Sequence, residues 1–132
     1  MRYLLVTNVC IGAMRRNPKV LARLSQVSPE DCAISMVTDH ELMVGVRKSA
    51  NPGGNTGKLQ RLIEEIHVLP FDFASAQQTA EVRIALEKVG LMIGPYDLQI
   101  AGQALAFDLV CVTHNTREFS RVEGLLCEDW EN

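Results

Sequence analysis

Short apolar runs alternate with stretches of helical periodicity along this chain, and that alternation narrows the possible folds more than any other feature. Residues 2–6 read as a buried strand, and residues 8 to about 24 as a helix start followed by an amphipathic helix. Residues 32–36 predict a second strand, with a helix from Thr38 to about Lys48. Residues 49–57 hold the breaker cluster Asn-Pro-Gly-Gly-Asn-Thr-Gly and predict a loop. A helix over 58–65 leads into the short run 66–70, and a helix over about 74–89 ends at Gly90. Gly94-Pro95 opens a helix to about Phe107, residues 109–112 form a strand, and residues 125–127 are a candidate last one. Strands separated by helices imply parallel pairing through right-handed crossovers, with helices covering both sheet faces. The expected class is α/β, a central, mainly parallel sheet flanked by helices. A length of 132 residues without repeats or a composition break suits one domain over 1–132.

Composition removes several function classes. A hydrophobic share of 47% is too high for a disordered chain. No apolar run approaches the roughly 18 residues of a membrane span, and the run 3–6 is cut off by Thr7-Asn8, so it is not a signal-peptide core. A net charge of −3 argues against holding nucleic acid by bulk positive charge, but not against an enzyme that touches it briefly. Cys10, Cys32, Cys111 and Cys127 show no CxxC pair and no zinc spacing. Cys10, Cys32 and Cys111 sit in or beside apolar stretches and read as small core residues, and the expected compartment is the cytoplasm. No P-loop, GxGxxG, GxSxG or HExxH motif is present.

Sites in open parallel sheets form beyond the carboxyl ends of the strands. That directs attention to Val6-Thr7-Asn8, to residues 37–41 and to residues 113–118. Glu41 has two readings. It is the third helical residue of a capping box opened by Thr38, or part of an inward stripe with Val37, Val44 and Gly45. Asp39 falls nearly opposite on the helix and is expected in solvent, and His40 has no evident partner. Asp97 begins the series Asp97, Ile100, Ala101, Ala104, Leu105, so an acid occupies a core-spaced position. Its plainer explanation is an acid in a first helical turn, favoured by the helix dipole by roughly 0.3–1 kcal/mol. Asn115 caps a short helix with Glu118 three residues on, or joins the same cluster. Together these put oxygen-bearing side chains at helix starts that can meet at one pole of the sheet. A carboxylate set without His or Cys suits Mg2+ or Mn2+ and the hydrolysis of a phosphodiester.

The segments that carry these acids resemble the VapC-type PIN-domain ribonuclease toxins of type II toxin–antitoxin systems. The likeness covers nearly the whole chain. It runs through Leu4-Leu5-Val6-Thr7-Asn8, residues 34–42 with Gly45, residues 68–72, residues 93–101, residues 112–119 and the closing Glu128-Asp129-Trp130. The resemblance implies a PIN fold that uses Mg2+ to cleave RNA. The substrate would be tRNA in the anticodon region, initiator tRNA included, or a ribosomal RNA loop. It also implies a VapB-type antitoxin as partner, a homodimer, and a toxin–antitoxin hetero-oligomer. By motif position Glu41 and Asp97 would be metal-binding acids. Asn115 stands where many relatives carry an acid, and Glu118 would contribute further. Thr7 and Asn8 would line the site, and Arg117 would contact substrate. Arg15, Arg16, Arg47 and Lys48 would complete a basic rim.

One departure weighs more than the matches. The family opens with Leu-Leu-Asp-Thr-Asn, and here the position of the Asp is Val6. Valine offers a metal no lone pair, so metal affinity should fall and the chain is expected to be weak or inactive as a nuclease. Val6 fits an introduced inactivating substitution or natural degeneration of a copy. A second class of function is therefore a PIN-fold binding module that holds antitoxin or RNA without chemistry. The blandest reading is an unrelated acidic α/β domain whose carboxylates are all helix caps.

Overall fold

The computed structural model describes all residues, 1–132. β1 (Tyr3–Leu5), β2 (Cys32–Ser35), β3 (His67–Leu69), β4 (Val110–Val112) and β5 (Cys127–Glu128) form one sheet in the order β3-β2-β1-β4-β5. Every pairing is parallel, with Leu4 opposite Ala33 on one side and Cys111 on the other. The central strand is β1, and all three of its residues are buried. A strand covered on both faces needs an unbroken apolar run rather than alternation, which Tyr3-Leu4-Leu5 supplies. The α/β expectation is met, and the sheet is parallel throughout.

Seven helices connect and cover the strands: α1 (Thr7–Met14), α2 (Pro18–Leu24), α3 (Met36–Lys48), α4 (Pro52–Glu65), α5 (Phe73–Val89), α6 (Pro95–Ala106) and α7 (Thr116–Phe119). The single helix expected over residues 8–24 is two. Arg16 turns into the left-handed region at φ 61, and Asn17 Oδ1 accepts from the Lys19 and Val20 N–H groups. Pro18 then opens α2, because proline cannot continue a helix but loses nothing at its first position.

The loop expected over residues 49–57 is mostly helix. Pro52 starts α4, and Asn51 Oδ1 accepts from Gly54 N–H at 3.3 Å. Three glycines in the opening turns cost about 1 kcal/mol each relative to alanine. The cap and the packing of Leu59, Leu62 and Ile63 against the core outweigh that cost. α3 begins two residues before Thr38, with Ser35 Oγ accepting from Val37 N–H at 3.0 Å. Gly90 ends α5 as expected, at φ 68.

The core joins β1, β2 and β4 to α6 and to the C-terminal segment, where Trp130 packs edge-on against Tyr3 with centroids 5.2 Å apart. Cys10, Cys32 and Cys111 are buried in it as small free thiols, and Cys127 is partly buried. No helix is long and apolar enough to cross a membrane.

Candidate active site

After β1 the chain crosses to β2 and β3 on one side, and β4 later takes the opposite flank of β1. The order therefore reverses beside β1, and the crevice beyond its carboxyl end is where such sheets place their chemistry. Four segments meet there: the β1–α1 junction, the first two turns of α3, the start of α6, and the β4–α7 turn.

Thr7 Oγ1 donates to Glu41 Oε1 at 2.8 Å and lies 3.3 Å from Thr38 Oγ1. Glu41 is in the second turn of α3, because Ser35 is the cap, so the capping-box reading of Thr38 and Glu41 is wrong. The inward stripe is wrong as well. Val44 and Gly45 are exposed, and the buried face carries Thr38, Asp39, Leu42 and Val46. Leu42 and Val46 are the apolar pair that orients α3, and Asp39 is carried inward one turn before them. Far from being solvated, Asp39 keeps one carboxylate oxygen buried without a partner, and burial pushes its carboxyl up from the ordinary value. His40 does have a neighbour, Tyr96 of α6, at 5.7 Å between ring centroids.

Asp97 is the third residue of α6, after Gly94 and Pro95. The residues that follow it with core spacing, Ile100, Ala101 and Ala104, are fully buried. Asp97 itself is partly buried, and its carboxyl is raised first by that burial, then by Glu118, then by Glu41. Two acids from two other elements thus act on Asp97 across the crevice. Glu118 is held by both oxygens: Oε1 accepts from Gly94 N–H at 3.0 Å and Oε2 from Asn115 Nδ2 at 2.6 Å. Asn115 occupies the cap position of α7, but its side chain caps no backbone N–H and turns to Glu118 instead.

Val6 sits at the head of this crevice. It is buried, it occupies the cap position of α1, and it has no side-chain acceptor for the first helical N–H groups. Asn8 is exposed and lines a cleft of ≈ 410 Å³ with Thr113, His114, Asn115 and Glu131. Arg117 is exposed, and no hydrogen bond or ion pair ties its side chain to the crevice. Of the expected basic rim, Arg15 is placed beside Glu41, in a groove of ≈ 170 Å³ between α1, α3 and α4; Arg16, Arg47 and Lys48 are exposed outside it. Lys58 also lines this groove and was missed, because it stood only as the first residue of the helix expected after the loop. The Gly94 amide was missed too. A glycine cap with no side-chain acceptor is the one sequence signal that a partner must come from elsewhere.

The donors that could hold an ion here are oxygens only, from Glu41, Asp97 and Glu118. That chemistry fits a hard divalent cation, which often takes one or two carboxylates and keeps waters for the rest. The three acids do not bring three oxygens within 4.8 Å of one another. The valine side chain at position 6 adds no further donor.

The family model described as PIN domain matches residues 3–125, which hold strands β1 to β4 of the parallel sheet and the acids beyond them. The chain is 38% identical over 130 residues to the tRNA(fMet)-specific endonuclease VapC of Shigella flexneri, covering 98% of each. A solved structure, DNA-bound VapBC from Salmonella typhimurium, superposes with a TM-score of 0.93 at 35% identity over 98% of each chain. VapBC2 from Rickettsia felis, bound to a promoter DNA fragment, gives a TM-score of 0.91 at 32% identity, covering 98% of this chain and 99% of that one. The chain belongs to the PIN-domain family and, within it, to the VapC proteins.

Proposed function

We propose that this protein is the toxin of a type II toxin–antitoxin module, a single PIN domain over residues 1–132 built as a Mg2+- or Mn2+-dependent endoribonuclease, with cleavage weakened or silenced by Val6. The observation that carries the reading is Asp97, a partly buried acid whose carboxyl is raised first by that burial and then by Glu118 and Glu41, acids from two other elements. Like charges brought together this way cost stability unless a cation joins them. Glu41 and Asp97 would hold that ion, with Glu118 beside them. When bound, it would polarise a phosphodiester and supply a stronger nucleophile at neutral pH. Thr7 fixes Glu41 through its hydroxyl, and Asn115 with the Gly94 amide fixes Glu118. Asn8 and the exposed Arg117 would meet the RNA, and Arg15 and Lys58, which line the groove with Glu41, would neutralise its phosphates.

The Shigella relative's name supports tRNA as substrate, initiator tRNA in particular. The VapBC complexes among the solved relatives support a VapB-type antitoxin as partner. A homodimer and a cytoplasmic location complete the reading. The second reading, a PIN-fold module that binds without cutting, is favoured by Val6 itself: it is well packed, so its loss of a carboxylate leaves the fold intact.

Cleavage of total tRNA with Mg2+ or Mn2+, by this chain beside Val6→Asp, tests the assignment. Val6→Asp is expected to cut at one mapped position, and adding Glu41→Gln or Asp97→Asn to abolish the cut. Were Val6→Asp inert towards tRNA and ribosomal RNA while folded, the binding module would stand instead.

A further inference from the structure

A second cluster of metal-ligating side chains lies outside the acids already described. We propose that His114, Asp129 and Glu131 form a binding site for a borderline divalent transition-metal ion of the Zn2+, Co2+ or Ni2+ kind. The site does not depend on the ribonuclease reading.

Two distant segments build it. His114 is in the turn after β4, and the acids are in the C-terminal segment after β5. Parallel pairing brings them together, with Thr113 N–H donating to Glu128 O at 2.9 Å. The segment is then anchored from both sides of Asp129. Arg23 pairs with Glu128 at 2.9 Å, and Trp130 is buried, its Nε1–H donating to Glu128 Oε1. Alternation about the buried tryptophan directs Asp129 and Glu131 to the same side, towards His114. Glu131 N–H donates to Asp129 Oδ1 at 2.9 Å, and Asn17 Nδ2 donates to Glu131 Oε1 at 3.3 Å. Glu131 therefore has Oε1 engaged by Asn17 and Oε2 turned to the imidazole, while both oxygens of Asp129 face His114 Nδ1, Oδ1 at 3.2 Å and Oδ2 at 3.1 Å.

The spacing is that of ligands around a missing centre. His114 Nδ1 is 3.1 Å from Asp129 Oδ2 and 3.8 Å from Glu131 Oε2, and one ligand atom from each residue lies within 4.8 Å of the others. For a tetrahedral ion with bonds near 2.0–2.1 Å, neighbouring ligands sit about 3.3 Å apart. The His114 side chain is 64% exposed, so little packing opposes a rotation that would close the longer gap to Glu131. An ion pair accounts for the cluster less well. A proton on Nδ1 points at one acceptor at a time, and here two carboxylates face the same nitrogen.

Ligand chemistry selects the ion. One imidazole with two carboxylates suits borderline cations, whereas Mg2+ is left to the oxygen-only set. The fourth position faces the ≈ 410 Å³ cleft lined by Asn8, Thr113, His114, Asn115 and Glu131, all polar, so water completes the set. Three protein ligands and one open position are the usual composition of a site that exchanges its fourth ligand.

Calorimetric titration of the full chain with Zn2+ and Ni2+, in excess Mg2+, tests the assignment, with Co2+ absorption as a second readout. One saturable site is expected. His114→Asn and Glu131→Gln should each weaken it by at least about tenfold, the scale on which disturbed coordination acts. The Glu41→Gln Asp97→Asn double variant and Cys127→Ser should leave it unchanged. Circular dichroism would establish that His114→Asn is folded. The proposal is overturned if no saturation occurs, if His114→Asn binds as the parent does, or if the acid or cysteine variants abolish binding.

Discussion

Asp39 holds a buried carboxylate oxygen without a partner on the core face of α3, beside Thr38, Leu42 and Val46. Burial raises its carboxyl from 3.8, so the folded state binds a proton more tightly than the unfolded chain does. The sign follows: the penalty is absent below the ordinary value and grows as pH rises, becoming complete above the raised one. Asp39→Asn removes the ionisation and is expected to stabilise the protein at pH 7 by about 1 kcal/mol or more. Denaturant melts at several pH values check this, since the gain should vanish in acid. Val6 is the opposite case, an apolar residue where a polar one would serve twice. Val6→Asp supplies the missing cap of α1, which is generally worth about 0.5–2 kcal/mol, but adds a fourth negative charge to the crevice. Its thermal midpoint should therefore depend more strongly on Mg2+ or Mn2+ than the parent's. Equal metal responses would count against an ion at this pole. Asp97 was legible in the sequence because an acid there begins a core-spaced apolar series. The Thr7–Glu41 and Gly94–Glu118 bonds were not, since each joins residues 24 or more positions apart and no local spacing encodes them.

Helix α4 shows why local rules failed over residues 49–57. Proline and glycine read as breakers, yet Pro52 is at the one helical position it tolerates, and the glycine cost is offset by tertiary packing. Side chains at Gly53 and Gly57 would meet nothing within 4 Å, so alanine at either is expected to add up to about 1 kcal/mol of stability. Gly54→Ala should not, because its Cβ would run into the Asn51 side chain that caps the helix. Chemical denaturation of the three variants side by side separates propensity from capping. The α5–α6 contact is the converse. A Cβ on Gly102 would come to 2.7 Å from both Cα and N of Thr79, backbone that cannot yield cheaply. Gly102→Ala should cost about 1–3 kcal/mol. On the ribonuclease reading it should also weaken metal binding at Asp97 by shifting the helix that carries it. The alternation of strands and helices was plain in the sequence. The α1–α2 break was missed, although Asn17-Pro18 is itself a cap followed by a first-turn proline.

At the scale of the whole molecule, the parallel sheet converts order along the chain into one acidic pole. Because β1 is central and the order reverses beside it, acids separated by 77 positions or fewer, from Glu41 to Glu118, face one crevice. To bind RNA, as the ribonuclease reading requires, a chain of net charge −3 must overcome that pole, and two features would supply the means: a divalent cation between the acids, and Arg15 and Lys58, which line a groove with Glu41. On the ribonuclease reading, tRNA affinity measured by fluorescence anisotropy should fall sharply when Mg2+ is replaced by a chelator. On the same reading this chain suits the measurement, since Val6 is expected to suppress cutting. Arg15→Ala and Lys58→Ala should each weaken binding and reduce the magnitude of the salt slope by about one, as expected for a lost phosphate contact. Val6→Asp, bound with Mg2+ at low temperature, should hold tRNA more tightly than the parent, because it holds the ion more tightly. Affinity that ignores both the chelator and the two cations would move the RNA to another face, and the basic groove would then have to be explained without it.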